Sequence, residues 1–168
     1  MAKPLEIERK YLIEYPNLTW LTSHPDVAVS EITQTYLSSP DEEERRVRMR
    51  KEGETVTYYY TVKRRVTAVT REEEETVITE AQYNAYLTEA DPSKYPLKKT
   101  RYCLSYEGLT PEIDVYPFWN HQAVLEVELP SEDAPVTLPP EIRVIREVTG
   151  EKAFKNSELA KGRPSCSS

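Results

Sequence analysis

The stretch Glu6-Ile7-Glu8-Arg9-Lys10 spaces two carboxylates and an ammonium two residues apart, with Leu5 and Ile7 at the alternate positions. Side chains on a β-strand alternate between faces, so Glu6, Glu8 and Lys10 share one face and the apolar residues take the other. The same period of two continues outward along the chain. Arg46, Arg48 and Arg50 alternate with Val47 and Met49, and Thr61 and Lys63 flank Val62. Arg71, Glu73 and Glu75 share a face, as do Lys99 and Arg101. Asp114 sits between Ile113 and Val115, while Glu126 and Glu128 alternate with Leu125, Val127 and Leu129.

This pattern predicts eight strands, over 5–14, 29–38, 44–51, 55–65, 68–78, 97–106, 111–116 and 124–129. Turn chemistry separates them at Ser39-Pro40-Asp41, Glu52-Gly53-Glu54, Glu107-Gly108 and Pro117-Phe118. Thr79 is placed to cap a helix running through Tyr83, Tyr86 and Leu87, and a second helix is expected over 151–159. The segment 17–25 fits a short helical turn, and 130–140 reads as an acidic, proline-rich connection. Residues 1–161 are expected to form one domain and 162–168 a disordered tail.

A chain of 168 residues is long enough to bury a core without staples. Its net charge of −7 argues against a general nucleic-acid binder, and no apolar run approaches the roughly 20 residues that span a membrane. Met1-Ala2-Lys3-Pro4 runs directly into a charged strand, so no signal peptide is expected. Cys103 and Cys166 suit neither a disulfide framework nor a zinc site, which points to a reducing, cytoplasmic setting. There is no glycine-rich phosphate loop, and His24 and His121 lie in loop-like contexts.

The fold class is therefore mainly β, as a sandwich or a closed barrel with a few flanking helices. Half-buried strands with one solvated face account for the alternation on any single strand. They account less well for both signs of charge recurring on one face of so many strands. If those faces converge, they bring together Glu6, Glu8, Glu73, Glu75, Asp114, Glu126 and Glu128 with Lys10, Arg46, Arg48, Arg50, Lys63, Lys99 and Arg101. Desolvating an unpaired ion costs several kcal/mol, so such a face calls for a bound polyanion and hard cations.

These elements resemble the CYTH superfamily of triphosphate tunnel metalloenzymes. Glu6-x-Glu8-x-Lys10 matches its signature, followed in order by Arg48-Met49-Arg50, Thr61-Val62-Lys63 and Arg71-x-Glu73-x-Glu75. Lys99-Thr100-Arg101-Tyr102, Ile113-Asp114-Val115, Glu126-Val127-Glu128 and Lys152…Lys155-Asn156 complete the set. The similarity is greatest to short bacterial triphosphatases, although Thr35 stands where their Gln-Gly-Tyr-Leu segment has glycine. The His-Phe-Asp-Thr-Pro-like segment of the cyclase branch is missing.

The resemblance implies an eight-stranded antiparallel closed barrel that hydrolyses the terminal phosphate of a triphosphate, foremost inorganic tripolyphosphate. ATP and thiamine triphosphate are the other candidate substrates. It implies Mg²⁺ or Mn²⁺ held by Glu6, Glu8, Glu75, Asp114, Glu126 and Glu128, hard oxygen ligands suited to such ions. Lys10, Arg48, Arg50, Lys63, Lys99, Arg101 and Lys155 would hold the phosphates, with Glu6, Glu8, Lys10 and Glu73 nearest the chemistry. The alternatives are an adenylate cyclase or thiamine triphosphatase on the same fold, or a non-catalytic polyphosphate- or nucleotide-binding module. Tyr58, Tyr59 and Tyr60 are assigned to the strand core, with a homodimer surface as their other use.

Overall fold

The structure, a computed structural model, describes residues 5–161, so the expected tail at 162–168 and its Cys166 lie outside the described residues. The strands are β1 (Leu5–Glu14), β2 (Ala28–Leu37), β3 (Glu43–Glu52), β4 (Thr55–Arg65), β5 (Thr70–Ile78), β6 (Leu97–Cys103), β7 (Glu112–Val115), β8 (Gln122–Glu128) and β9 (Val144–Glu147). They form an antiparallel sheet in the order β5-β4-β3-β2-β6-β7-β8-β1-β9, and pairing of β1 with β5 closes the first eight into a barrel. Closure removes the free sheet edges.

Closure is narrow on one side. β1 pairs with β8 from Glu8 to Glu14 but with β5 only from Leu5 to Ile7. Further along, the same edge of β1 pairs with β9 at Tyr11–Ile13. The chain after β9 then crosses the seam, where the Val148 amide donates to the Lys10 carbonyl at 2.8 Å and the Lys10 amide to Thr149 Oγ1 at 2.9 Å.

Most of the apolar core lies on the outer face of the barrel wall, while Tyr36, Leu97, Tyr116 and Val124 form a further cluster at inward positions with Phe118 and Leu159. Ile13, Tyr102, Ile113, Ala123, Leu125 and Val127 are covered by Leu18, Trp20 and Leu21 and by the proline-rich connection, whose Ala134, Val136, Leu138 and Ile142 pack inward. A second cluster, on β3 and β4, lies beneath α2 (Glu80–Tyr86). There Tyr60 stacks on Tyr86 at 4.4 Å and Tyr58 meets Tyr83 at 4.8 Å, while Tyr59 lies under the Arg48 guanidinium at 5.2 Å. The tyrosine run thus serves intramolecular packing. Burying apolar surface here is worth roughly 25 cal/mol per Å². It leaves the rest of the barrel interior for polar groups.

Several boundaries differ from expectation. β5 starts at Thr70 rather than Ala68, because Thr67 Oγ1 accepts from the amides of Val69 and Thr70 and holds a turn. β6 ends at Cys103, where the chain turns through Glu107 and Gly108, both at positive φ. β9 carries no alternation signal, since Val144 to Glu147 are all exposed. The expected helix over 151–159 is two pieces, a 3₁₀ turn at Lys152–Phe154 and α3 (Asn156–Leu159), with Lys155 extended between them. The Thr79 cap forms as a capping box with Gln82, and Asn17 caps α1 (Leu18–Thr22). No helix among the described residues is long and apolar enough to cross a membrane.

Candidate active site

A cavity of about 250 Å³ runs through the barrel interior. Its wall carries eight carboxylates and eight cationic side chains, with Tyr36 and Asn156 as the remaining lining residues. Strand alternation puts the strand residues among them there, and Lys155 and Asn156 reach it from the C-terminal segment.

The two signs segregate. In the ring of eight strands, β3 lies four strands from β8 in either direction and so faces it across the tunnel. β3 supplies Arg46, Arg48 and Arg50 with one carboxylate, Glu44, whereas β8 and its neighbours supply Glu126, Glu128, Glu6, Glu8 and Glu112 with one ammonium, Lys10. On the acidic wall like charges stand directly opposite across the ladder, Glu8 against Glu128 and Glu126 against Glu112. Such pairs are destabilising unless something offsets them.

Raised pKa values at Glu8 and Glu128 relieve part of this repulsion, since a protonated carboxyl carries no charge. Burial, then the neighbouring Glu126 carboxylate, raises the Glu8 pKa well above the usual carboxylate range. In Glu126 burial pulls the same way, but Lys10 and Arg101 outweigh it and keep the group ionised. Glu73 is raised to about 7, first by burial and then by its hydrogen bond to Glu6, against the pull of Lys63. Lys63 Nζ reaches Glu6 Oε1 at 3.1 Å.

The basic wall has unused donors. Arg46 and Arg48 are buried, and the Nε of each has no hydrogen-bond partner. Arg48 reaches Glu75 through Nη2 at 3.1 Å. Lys10 Nζ donates to the Phe154 carbonyl at 3.1 Å, which ties the opening strand to the C-terminal segment. The Tyr116 hydroxyl bonds Asn156 Oδ1 and anchors α3 over the barrel end.

Of the site residues expected from sequence, Glu6, Glu8, Lys10, Arg48, Arg50, Lys63, Glu73, Glu75, Arg101, Glu126, Glu128 and Lys155 line this cavity. Lys99 and Asp114 do not. They share the inward period of Arg101 and Glu112 but are buried outside the cavity lining, where Asp114 accepts from Lys99 Nζ at 2.8 Å and from Arg101 Nε and Nη2 at 2.8 and 2.9 Å. Burial would raise Asp114, but Arg101 and Lys99 outweigh it and hold the carboxyl at about 2. Asp114 thus fixes Arg101 toward the cavity. The lining also includes Glu44, Arg46, Arg71, Glu112 and Asn156, which were not assigned as site residues. Arg46 and Arg71 share the inward period of their strands. Neither histidine lines the cavity.

No group of three Asp, Glu, His or Cys side chains among the described residues is gathered tightly enough to hold a metal ion. The donor set nevertheless suits a hard divalent cation: oxygen ligands only, in opposed pairs whose repulsion a cation would relieve. Glu73 makes the metal-free protein pH-sensitive. Its folded pKa of about 7 exceeds the ordinary carboxyl value of 4.5, so the folded state binds more protons between these values. Stability should therefore fall as pH rises from about 4.5 to 7. Chemical denaturation across that range should show the decline, and Glu73→Gln should flatten it. An unchanged slope in the variant would assign the effect elsewhere.

Comparison with known proteins matches this geometry. Among solved structures, the inorganic triphosphatase NE1496 is 28% identical with TM-score 0.57, covering 98% of this chain and 100% of that one. The PH1819 protein from Pyrococcus horikoshii shares the fold at 18% identity and TM-score 0.58, covering 76% of this chain and 80% of that one. No curated protein matches the chain significantly. The CYTH domain model matches residues 4–156, so the chain belongs to the CYTH domain family.

Proposed function

We propose that this protein is a divalent-metal-dependent triphosphatase that converts tripolyphosphate and water to pyrophosphate and orthophosphate. The observation that carries the reading is the pair of opposed walls, mainly acidic on β1, β7 and β8 and mainly basic on β3, around one cavity in the barrel. Its lining is charged almost throughout, with Tyr36 as the one aromatic side chain and no aliphatic one to take a base, which favours an inorganic substrate over a nucleotide. The likeness to an inorganic triphosphatase supports the same choice.

Arg46, Arg48 and Arg50 bind phosphate oxygens, the first two through donors that lack protein acceptors. Arg101, braced by Asp114, and Lys10, Lys63 and Lys155 add positive charge around the chain. Glu6, Glu8, Glu126 and Glu128 would hold Mg²⁺ or Mn²⁺, with Glu75, which accepts from Arg48, adding a further oxygen to the cavity. The ion, when bound, supplies charge neutralisation and polarises the phosphoryl group. Phosphoryl transfer depends mainly on positioning and electrostatics, so these residues perform most of the work. Glu73 orients the attacking water and accepts its proton as the bond to the leaving pyrophosphate breaks. Its pKa of about 7 suits that exchange near neutral pH.

The test is phosphate release from tripolyphosphate, ATP and thiamine triphosphate with Mg²⁺, Mn²⁺ or chelator. Tripolyphosphate should be turned over fastest and only with metal. Turnover of none of the three, or cyclic AMP formation from ATP, would overturn the assignment.

A further inference from the structure

A second, larger cavity of about 570 Å³ adjoins the tunnel. It shares Tyr36, Glu44, Lys63, Arg71 and Lys155 with the tunnel lining, so the two spaces are continuous. Its lining holds seven cationic side chains against three carboxylates. Local ion pairs occupy three of the seven: Arg45 with Glu89 at 2.9 Å, Arg64 with Glu43 at 2.9 Å and Lys63 with Glu6 at 3.1 Å.

The others are not matched in this way. Arg65 donates to the backbone carbonyls of Thr67 and Gly150, at 3.3 and 3.5 Å. Arg71 and Lys155 form no ion pair within the described residues, and Lys94 has only Asp91 at 3.8 Å while lying 5.2 Å from the Tyr36 ring centroid. Burial, then repulsion from Arg71 and Arg65, lowers the Lys155 pKa, so these three cations feel one another. A cluster of like charges at the junction of two cavities is electrostatically unfavourable until an anion joins it.

Resting on the proposed function, we infer that this vestibule is a second anion subsite, which holds the phosphates of a linear polyphosphate longer than three as the chain emerges from the tunnel. Arg71 and Lys155 bridge the two spaces, and Arg65 and Lys94 act only on the emerging chain. Each added charge-assisted hydrogen bond is worth about 1.5 kcal/mol or more, so one further bound phosphate should tighten binding about tenfold.

Calorimetric binding of tripolyphosphate and tetrapolyphosphate in chelator-treated buffer, where no turnover occurs, tests this. The full-length protein should bind tetrapolyphosphate about tenfold more tightly. Arg65→Ala with Lys94→Ala should abolish that preference and leave tripolyphosphate affinity unchanged. Arg65→Lys with Lys94→Arg should restore it, with thermal melts confirming that both doubles fold. Equal affinities in the unmodified protein, or a preference that survives the alanine pair, would overturn the subsite. If tripolyphosphate binds and the preference is absent, only the subsite falls. If neither anion binds even after Mg²⁺ is added, both readings fall.

Discussion

Asp114→Ala should lower stability by about 3–5 kcal/mol, because it strands two buried cations at once. The side chains of Lys99 and Asp114 are 0% and 1% exposed, and Asp114 receives one hydrogen bond from Lys99 and two from Arg101. Arg101 keeps weaker partners in Glu112 at 3.3 Å and Glu126 at 3.8 Å, whereas Lys99 keeps no ion pair among the described residues. At roughly 2–4 °C per kcal/mol for a chain of this size, the melting temperature should drop by about 10 °C. Urea unfolding and a thermal melt measure both. Adding Lys99→Met should recover part of the loss, since removing both partners of a buried pair costs less than removing one. A loss no greater than the roughly 0.5 kcal/mol of an ordinary surface substitution would mean that solvent reaches the pair.

Glu8→Gln should have the opposite balance, with function lost and stability kept. Glu8 faces Glu128 across the ladder, and burial with the Glu126 carboxylate beside it raises its pKa well above the usual carboxylate range, so its ionised form is repelled by its neighbours. An isosteric amide removes that repulsion and keeps a hydrogen-bonding oxygen. The metal-free melting temperature should stay level or rise. Metal-dependent triphosphate hydrolysis should fall by about 100-fold or more, the usual scale for removing one electrostatic element of a preorganised site. Midpoint titration with Mg²⁺ or Mn²⁺ should shift to higher concentration. A variant with full turnover would remove Glu8 from the metal site.

Both expectations depend on the barrel carrying most of its apolar core outside. In an ordinary sandwich the apolar faces meet each other and the charged faces meet water. Here helix α1 and the proline-rich connection cover the outward apolar face, so the charged faces are left to meet one another. The cost of that arrangement is a set of buried ions, and ligands of both signs are the means of offsetting it.

Much of this was legible along the chain. The period of two located all eight barrel strands, and it sorted Glu6, Glu8 and Lys10 from Leu5 and Ile7 without any tertiary information. Arg46 and Arg71 follow the same inward period and reach the cavity. β9 was not legible, because it is an exposed strand that pairs only along the seam left by the short β1–β5 contact. Lys155 was misread as helical because charge and spacing do not reveal a break between a 3₁₀ turn and a short helix.

Local periodicity thus determined which face of each strand Glu6, Glu8 and Lys10 occupy, because alternation is a property of the backbone itself. Whether those faces meet was decided by closure and strand order, which rest on contacts between residues far apart in sequence. Closure sets Glu126 beside Glu8 and puts β3 opposite β8, and the pairing of β6 with β7 spends Asp114 on Arg101 rather than on the cavity. Two carboxylates on one strand are a pattern. Facing a second acidic pair across a ladder and three arginines across a tunnel, they form a site.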